Sequence, residues 1–442
     1  MKRVGSVAVL ILLAIPPSIF ALTAQTSAAS PSPAADTLAS LNAEARKAYQ
    51  QKDYPRFLSF EKRALELSPG NPRLIYNVAC GDALTGDSHA AVAKLDQLLA
   101  LKLDLGAETD EDFSAIRSTE DWAGFESRLA QLRKPVVRST VAFRLSDPDL
   151  LATGIAVDSK NGDTYVASVR ERKIVRRSKD GAVSDFISPA QDGFLAGASV
   201  AIDTQRNVLF ASTATAPFMA GYQKGDAARS GVFAFDLKSG KLLRKALLPN
   251  DGKQHFLNAL ALDQKGDLYV SDSAQSGIYK LALGKNELEV FVPGNVFRAT
   301  QGLAFSRDDK VLYVADYSDG VWALDMASKK PRQLESPSGV WLGGLDGLSR
   351  VPDGFIAVQI GVQPQRVLHL RLGRGGENIS SVDIMEMNHP DYDGPIQGTV
   401  ANGAFLYVAN SQLELGNGQT GAFAADRARP TIVLRLPLAP GN

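Results

Sequence analysis

The sequence predicts a mainly β fold, a six-bladed β-propeller, preceded by a small α-helical domain. Three observations predict it. A phrase typified by GLAFSRDDKVLYVAD (Gly302–Asp316) recurs six times, its copies starting 43 to 60 residues apart. Each copy is a short apolar run, a polar turn and a second run ending on a polar residue, the mark of stacked supersecondary units. Ahead of the repeats, over 37–135, apolar residues instead recur at threes and fours, the helical period.

The chain has 442 residues, more than one ordinary core accommodates, so two or more domains are expected. Lys plus Arg equals Asp plus Glu at 48 each, so no net charge draws it to nucleic acid. Cys80 is the only cysteine, which excludes an intramolecular disulfide and reads as a packed small hydrophobe. Residues 1–29 read as a signal peptide with its cleavage region. Lys2 and Arg3 precede an apolar stretch from Val4 to Ala21, and small residues follow, with cleavage after Ala24 or Ala29. The alternative is an uncleaved membrane anchor, but Pro16 and Pro17 break the stretch, which is short for the ~20 residues of a span. The expectation is an exported protein, periplasmic or extracellular, with no membrane span after cleavage and a loose linker at Thr26–Ala35.

In the helical segment Leu38, Leu41, Ala45 and Tyr49 form one stripe, and Phe57, Phe60, Ala64 and Leu67 a second. Ser68-Pro-Gly-Asn-Pro72 is a hard stop. A second pair follows with Leu74, Val78 and Ala83, a turn at Gly86-Asp87, then Ala90, Ala93 and Leu98. This pattern resembles tetratricopeptide repeats, with Asp112-Phe113 and Trp122 to Phe125 as a degenerate closing repeat. The resemblance implies either a concave surface for a protein partner or a helical cap.

From 138 to 440 each repeat completes into four strands of four to eight residues, bounded by Gly/Asp/Lys/Ser turns. The fourth repeat gives Gly302–Ser306, Val311–Asp316, Gly320–Asp325 and Pro331–Glu335. The sixth has Gly398–Asn402, Phe405–Asn410 and Thr431–Leu438 but lacks an outer strand, and a spare strand at Ser139–Leu145 can complete it and close the ring. A seventh blade would have to hide in an irregular loop.

Strand alternation places the start of every inner strand and the end of every second strand at one mouth of the channel. The starts are Thr153, Ala198, Asn258, Gln301, Asp346 and Gln397, and the ends are Ser168, Thr213, Asp272, Asp316, Gln359 and Asn410. Eleven of the twelve are polar beside apolar strands, so they need partners: backbone, water, metal or a small-molecule ligand. Asn258, Gln359, Asn410 and Gln397 are the candidates for holding substrate. Two loops of about 18 to 20 residues, Thr213–Ser230 and Ser411–Pro430, fall on the same side, as functional loops often do. His255 and His389 lie on loops there too and are candidate general acids or bases.

GDLYVSD, GLAFSRDDKVLYVAD and LDGLSRVPDGFIAVQ together resemble the SMP-30/gluconolactonase and strictosidine synthase-like propellers, which shade into NHL-type repeats. The resemblance implies a divalent cation in the channel, commonly calcium, and lactone or ester hydrolysis. By position it assigns Asp346 as metal ligand and catalytic residue, with Gln301 and Asn258 beside it. Asp272 and Asp316 would add charge from the second-strand ends. Thr153 stands where the family has a Glu. Two functions are therefore compatible with the sequence: a metal-dependent hydrolase of the lactonase type, or a non-catalytic propeller that binds a ligand or protein.

Overall fold

The computed structural model describes residues 36–224 and 228–438; the segment read as an export signal lies outside them. The chain divides into two compact units after Lys134. The first contains α1 (Leu38–Gln50), α2 (Tyr54–Leu67), α3 (Pro72–Leu84), α4 (Ser88–Ala100) and α5 (Glu120–Leu132). Every one of these helices begins where the sequence supplies a cap: the side chains of Thr37, Asp53, Asn71, Asp87 and Thr119 accept first-turn amides. Leu41, Ala45, Phe57, Ala64, Leu74, Val78, Leu95 and Leu98 fill the interior. Asp112-Phe113 does not begin an α-helix. It lies in a 3-10 turn, Glu111–Ile116, where Asp110 accepts the Asp112 amide and so competes with α-helical pairing. No helix among the described residues is long and apolar enough to cross a membrane.

The second unit is a six-bladed β-propeller, each blade a four-stranded antiparallel sheet. The inner strands are Ala152–Val157, Ala196–Asp203, Leu257–Leu262, Thr300–Phe305, Leu345–Val351 and Gly398–Ala401. Each packs beside the next, and the last beside the first. Thr140–Leu145 pairs with Thr431–Pro437, so the first strand of this unit is the outer strand of the sixth blade. The buried Glu386 reinforces that closure. One of its oxygens accepts the amides of Arg138 (2.8 Å) and Ser139 (2.6 Å), and the other accepts the Tyr407 hydroxyl.

Apolar clusters lie between neighbouring blades. The Tyr of the repeated phrase meets an aromatic of the next blade edge to face: Tyr269 with Phe305 at 5.1 Å and Tyr313 with Phe355 at 4.9 Å. The Gly of the phrase serves the centre. A Cβ on Gly302 would lie 2.7 Å from the Leu348 nitrogen, so glycine lets the inner strands of blades 4 and 5 approach.

Candidate functional site at the channel mouth

The strand register explains how side chains reach the channel. In blades 1 to 5 one extra residue is inserted near the start of the inner strand, at Thr153, Ala198, Asn258-Ala259, Gln301-Gly302 and Asp346. Such a bulge re-aims a side chain without ending the sheet. The bulged residues then link adjacent blades. Thr153 Oγ1 donates to the Gly197 carbonyl at 2.6 Å, Asn258 Nδ2 donates to Gln301 Oε1 at 2.7 Å, and Asp346 Oδ2 accepts the Gln397 amide at 3.0 Å.

The second-strand ends are occupied differently. Asp316 is fully buried and accepts four backbone amides: Arg298 (2.7 Å), Ala299 (3.0 Å), Ser318 (2.8 Å) and Asp319 (3.2 Å). Asp272 accepts those of Phe256, Ala274 and Gln275 and binds His255 Nδ1 at 2.5 Å. Ser168 accepts the Glu171 amide, and Thr213 that of Leu195. Gln359 donates to the carbonyls of Trp341 and Gly343 and accepts from Arg366 Nε, whose pKa burial lowers to about 10. Asn410 bridges the Pro430 carbonyl and the Ile432 amide. Each of these residues ties the chain entering its blade or the connection between its second and third strands.

The two histidines have local partners. His255 bridges Asp272 and, through Nε2 at 3.1 Å, Asp251. His389 accepts the Asp391 amide at 3.1 Å and lies against the Tyr392 ring. Neither ring hydrogen-bonds to Asn258, Gln301 or Asp346.

What stays available is a set of four residues on blades 3 to 6, Asn258, Gln301, Asp346 and Gln397, joined by Tyr317, all half-buried. Among the described residues, the side-chain NH2 groups of Gln301 and Gln397 and Oδ1 of Asp346 have no hydrogen-bond partner. Protein surrounds the Asp346 carboxyl closely, although it retains some accessible surface, and lost hydration pushes its pKa up to about 6. Burial, then the Asp346 charge, raises Tyr317 to about 12. Tyr317 carries no signal in the repeated phrase, since it stands one residue beyond it. The other half of the mouth is closed. Inner-strand starts in blades 1 and 2 are buried, and the two long loops pack there on each other. Phe218, Phe423 and Leu415 join Leu151, Val169 and Met219, and Arg170 donates to the Phe218 carbonyl while its guanidinium lies 4.2 Å from the Phe423 ring.

A calcium ion takes six to eight oxygens, usually with several carboxylates. Among the described inner-strand starts the mouth offers one, Asp346. The lone pairs of Asp272 and Asp316 already hold backbone amides, and the Thr153 hydroxyl is held at the Gly197 carbonyl. These residues do not form a calcium cage of the lactonase type.

No family model matches the chain, and no curated protein matches it. Solved structures similar to it include a luciferin-regenerating enzyme at 13% identity, covering 69% of this chain and 96% of that one, with a TM-score of 0.48. A gluconolactonase from Xanthomonas campestris has 16% identity, 69% and 94% coverage and a TM-score of 0.44. Virginiamycin B lyase from Staphylococcus aureus has 12% identity, 66% and 98% coverage and a TM-score of 0.42. At such identities the chemistry has to be read from this chain's own residues.

Proposed function

We propose that the open half of the channel mouth binds a small lactone or ester and hydrolyses it, with Asp346 as the general base. The observation that carries this reading is a closely surrounded carboxylate with one oxygen left without a partner among the described residues; its lost hydration raises its pKa to about 6. A base of that strength is ionised at neutral pH and still takes a proton from water effectively. The unpartnered NH2 groups of Gln301 and Gln397 and the Tyr317 hydroxyl supply donors for the oxyanion that forms when water adds to the carbonyl; its collapse breaks the C–O bond, and the proton held by Asp346 passes to the leaving oxygen. The closed half, roofed by the long loops, limits the substrate to one side. Lys2, Arg3 and the apolar stretch to Ala21 favour a site of action outside the cytoplasm.

The test is turnover of a panel of lactones and aryl esters between pH 5 and 8, by wild type and Asp346→Asn, with calcium and with chelator. The expected result is a rate that rises with pH through about 6 and then levels. It falls by about 100-fold or more in the variant and is indifferent to chelator. Equal rates in the two proteins would overturn Asp346 as the base. Loss of turnover on chelation, restored by calcium, would return the reaction to a metal.

A second reading, ligand binding without turnover, is favoured by Thr153. The family's Glu position holds a hydroxyl committed to the backbone. Saturable binding of a lactone by wild type with no hydrolysis at any pH would select it.

A further inference from the structure

We propose, resting on the hydrolytic reading of Asp346, that Trp341 and Tyr317 form an aromatic seat beside that carboxylate, which selects lactones and esters carrying a flat aromatic ring. A Cβ on Gly343 would meet the Trp341 indole at 2.5–2.8 Å, so the ring lies against that glycine. A Cβ on Gly361 would meet the Tyr317 hydroxyl oxygen at 2.5 Å and the Gly344 Cα at 2.6 Å, so the phenol ends where those two glycines approach each other. Gly343 and Gly344 precede Asp346 by three and two residues, at most about 11 Å of chain. The missing side chains let both rings lie on backbone at the mouth.

Both residues are fixed at the backbone and spare at the polar end. Gln359 Nε2 donates to the Trp341 carbonyl at 3.0 Å, and the Gly344 amide donates to the Tyr317 carbonyl at 2.6 Å. The Gly344 carbonyl accepts the amides of Ile360 and Gly361, each at 3.0 Å. Among the described residues, Trp341 Nε1 and the Tyr317 hydroxyl have no hydrogen-bond partner, and neither ring packs on another aromatic ring or a cation. The other two tryptophans do pack on rings: Trp122 on Phe113 and Phe125 at 5.7 and 5.2 Å, and Trp322 on Phe297 at 5.9 Å. Trp341 and Tyr317 are both half-buried, so each keeps surface toward solvent. An amphipathic ring with a spare polar end is suited to meeting a ligand.

The seat suits an aromatic ring better than a polyhydroxylated one. Every hydroxyl taken out of water needs a partner. The carbonyls of Trp341 and Gly343 already accept Gln359 Nε2, and Leu342 between them is buried in an apolar cluster. The side-chain polar groups left at the seat are the indole N–H and the phenol hydroxyl. A flat aromatic ring asks only for a ring to lie against, and the contact gains more than the area it buries.

The test uses the full chain with dihydrocoumarin, a δ-lactone fused to an aromatic ring, δ-valerolactone, the same lactone without that ring, and glucono-δ-lactone as the polyhydroxylated case. Binding is read calorimetrically in Asp346→Asn, which stops turnover on the reading above, alone and combined with Trp341→Ala or Trp341→Phe. Dihydrocoumarin is expected to bind tightest of the three. Trp341→Ala weakens it by about 10-fold, and Trp341→Phe, which keeps a ring, by no more than about 3-fold. With Asp346 intact, the Trp341→Ala loss falls on KM for dihydrocoumarin and lowers its preference over δ-valerolactone by about the same factor. Urea unfolding checks that each variant is folded, and Trp341→Leu, which keeps bulk without a ring, decides the matter if Trp341→Ala is not. Failure of dihydrocoumarin to bind, an unchanged preference in the folded variants, or tighter binding of glucono-δ-lactone would overturn the seat. A wild type that binds dihydrocoumarin through Trp341 and turns over none of the lactones keeps the seat and fails the hydrolytic reading alone.

Discussion

Asp316 and Asp346 are one residue type at one mouth with opposite duties. Asp316 accepts four backbone amides and so holds the chain that enters blade 4 and the turn between its second and third strands. Asp346 accepts one and keeps an oxygen for the channel. Hydrogen bonds to a buried charge are among the stronger ones, and removing their acceptor strands several donors at once. Asp316→Ala is therefore expected to cost about 3 kcal/mol or more of propeller stability, read as a lower urea midpoint at unchanged slope. An unchanged midpoint would deny Asp316 its structural role. The sequence shows both residues as polar groups beside apolar strands and does not show which amides turn toward them. A usable signal does exist: Asp272 and Asp316 are each followed four or five residues later by a glycine, the composition of a side-chain-capped turn. Asp346 is followed at once by Gly347, which belongs to the strand.

At the scale of elements, the repeated phrase made the strands readable and the bulge blurred their beginnings. Blade 4 was expected to start at Gly302 and starts at Thr300. Alternation of apolar and polar residues resumes only after the inserted residue, so a period-two reading begins too late. The helical pairs were legible because caps and stops flank them, whereas Asp112-Phe113, read as part of a degenerate closing repeat, lies in a 3-10 turn over Glu111–Ile116. The long loops were legible as long and not as packed on each other. Arg170 fastens one to the other through the Phe218 carbonyl and the Phe423 ring. Arg170→Ala is expected to loosen this cover by about 1–2 kcal/mol. Hydrogen exchange should quicken at the amides of Met219 and Ala424 while the blade amides keep their protection. Equal protection of those two amides in both proteins would remove Arg170 as the fastener.

At the scale of the whole molecule, ring closure was readable from two incomplete ends, a spare strand before the first repeat and a missing strand in the last. The register of Thr140–Leu145 against Thr431–Pro437 makes that closure, and Glu386 anchors the segment just ahead of it. A chain lacking residues 139–145 exposes the edge of Thr431–Pro437 and is expected to aggregate and to lose a single sharp propeller transition. A soluble variant that melts as wild type would show closure to be dispensable.

Asp346 is the residue that separates those that build the ring from a carboxylate with an oxygen to spare. Its folded pKa of about 6 lies above the ordinary 3.8, so the native state keeps the proton to higher pH than the unfolded chain. Stability tied to that proton is present below about pH 4 and is lost as pH rises through about 6, a penalty of about 3 kcal/mol at neutral pH. The decisive measurement is urea unfolding of the propeller in wild type and Asp346→Asn at pH 4 and pH 7.5. Near-equal stability is expected at pH 4, and an Asn variant more stable by about 3 kcal/mol at pH 7.5. An Asn variant no more stable than wild type at pH 7.5 would contradict it, placing Asp346 with Asp316 among the residues that hold the fold.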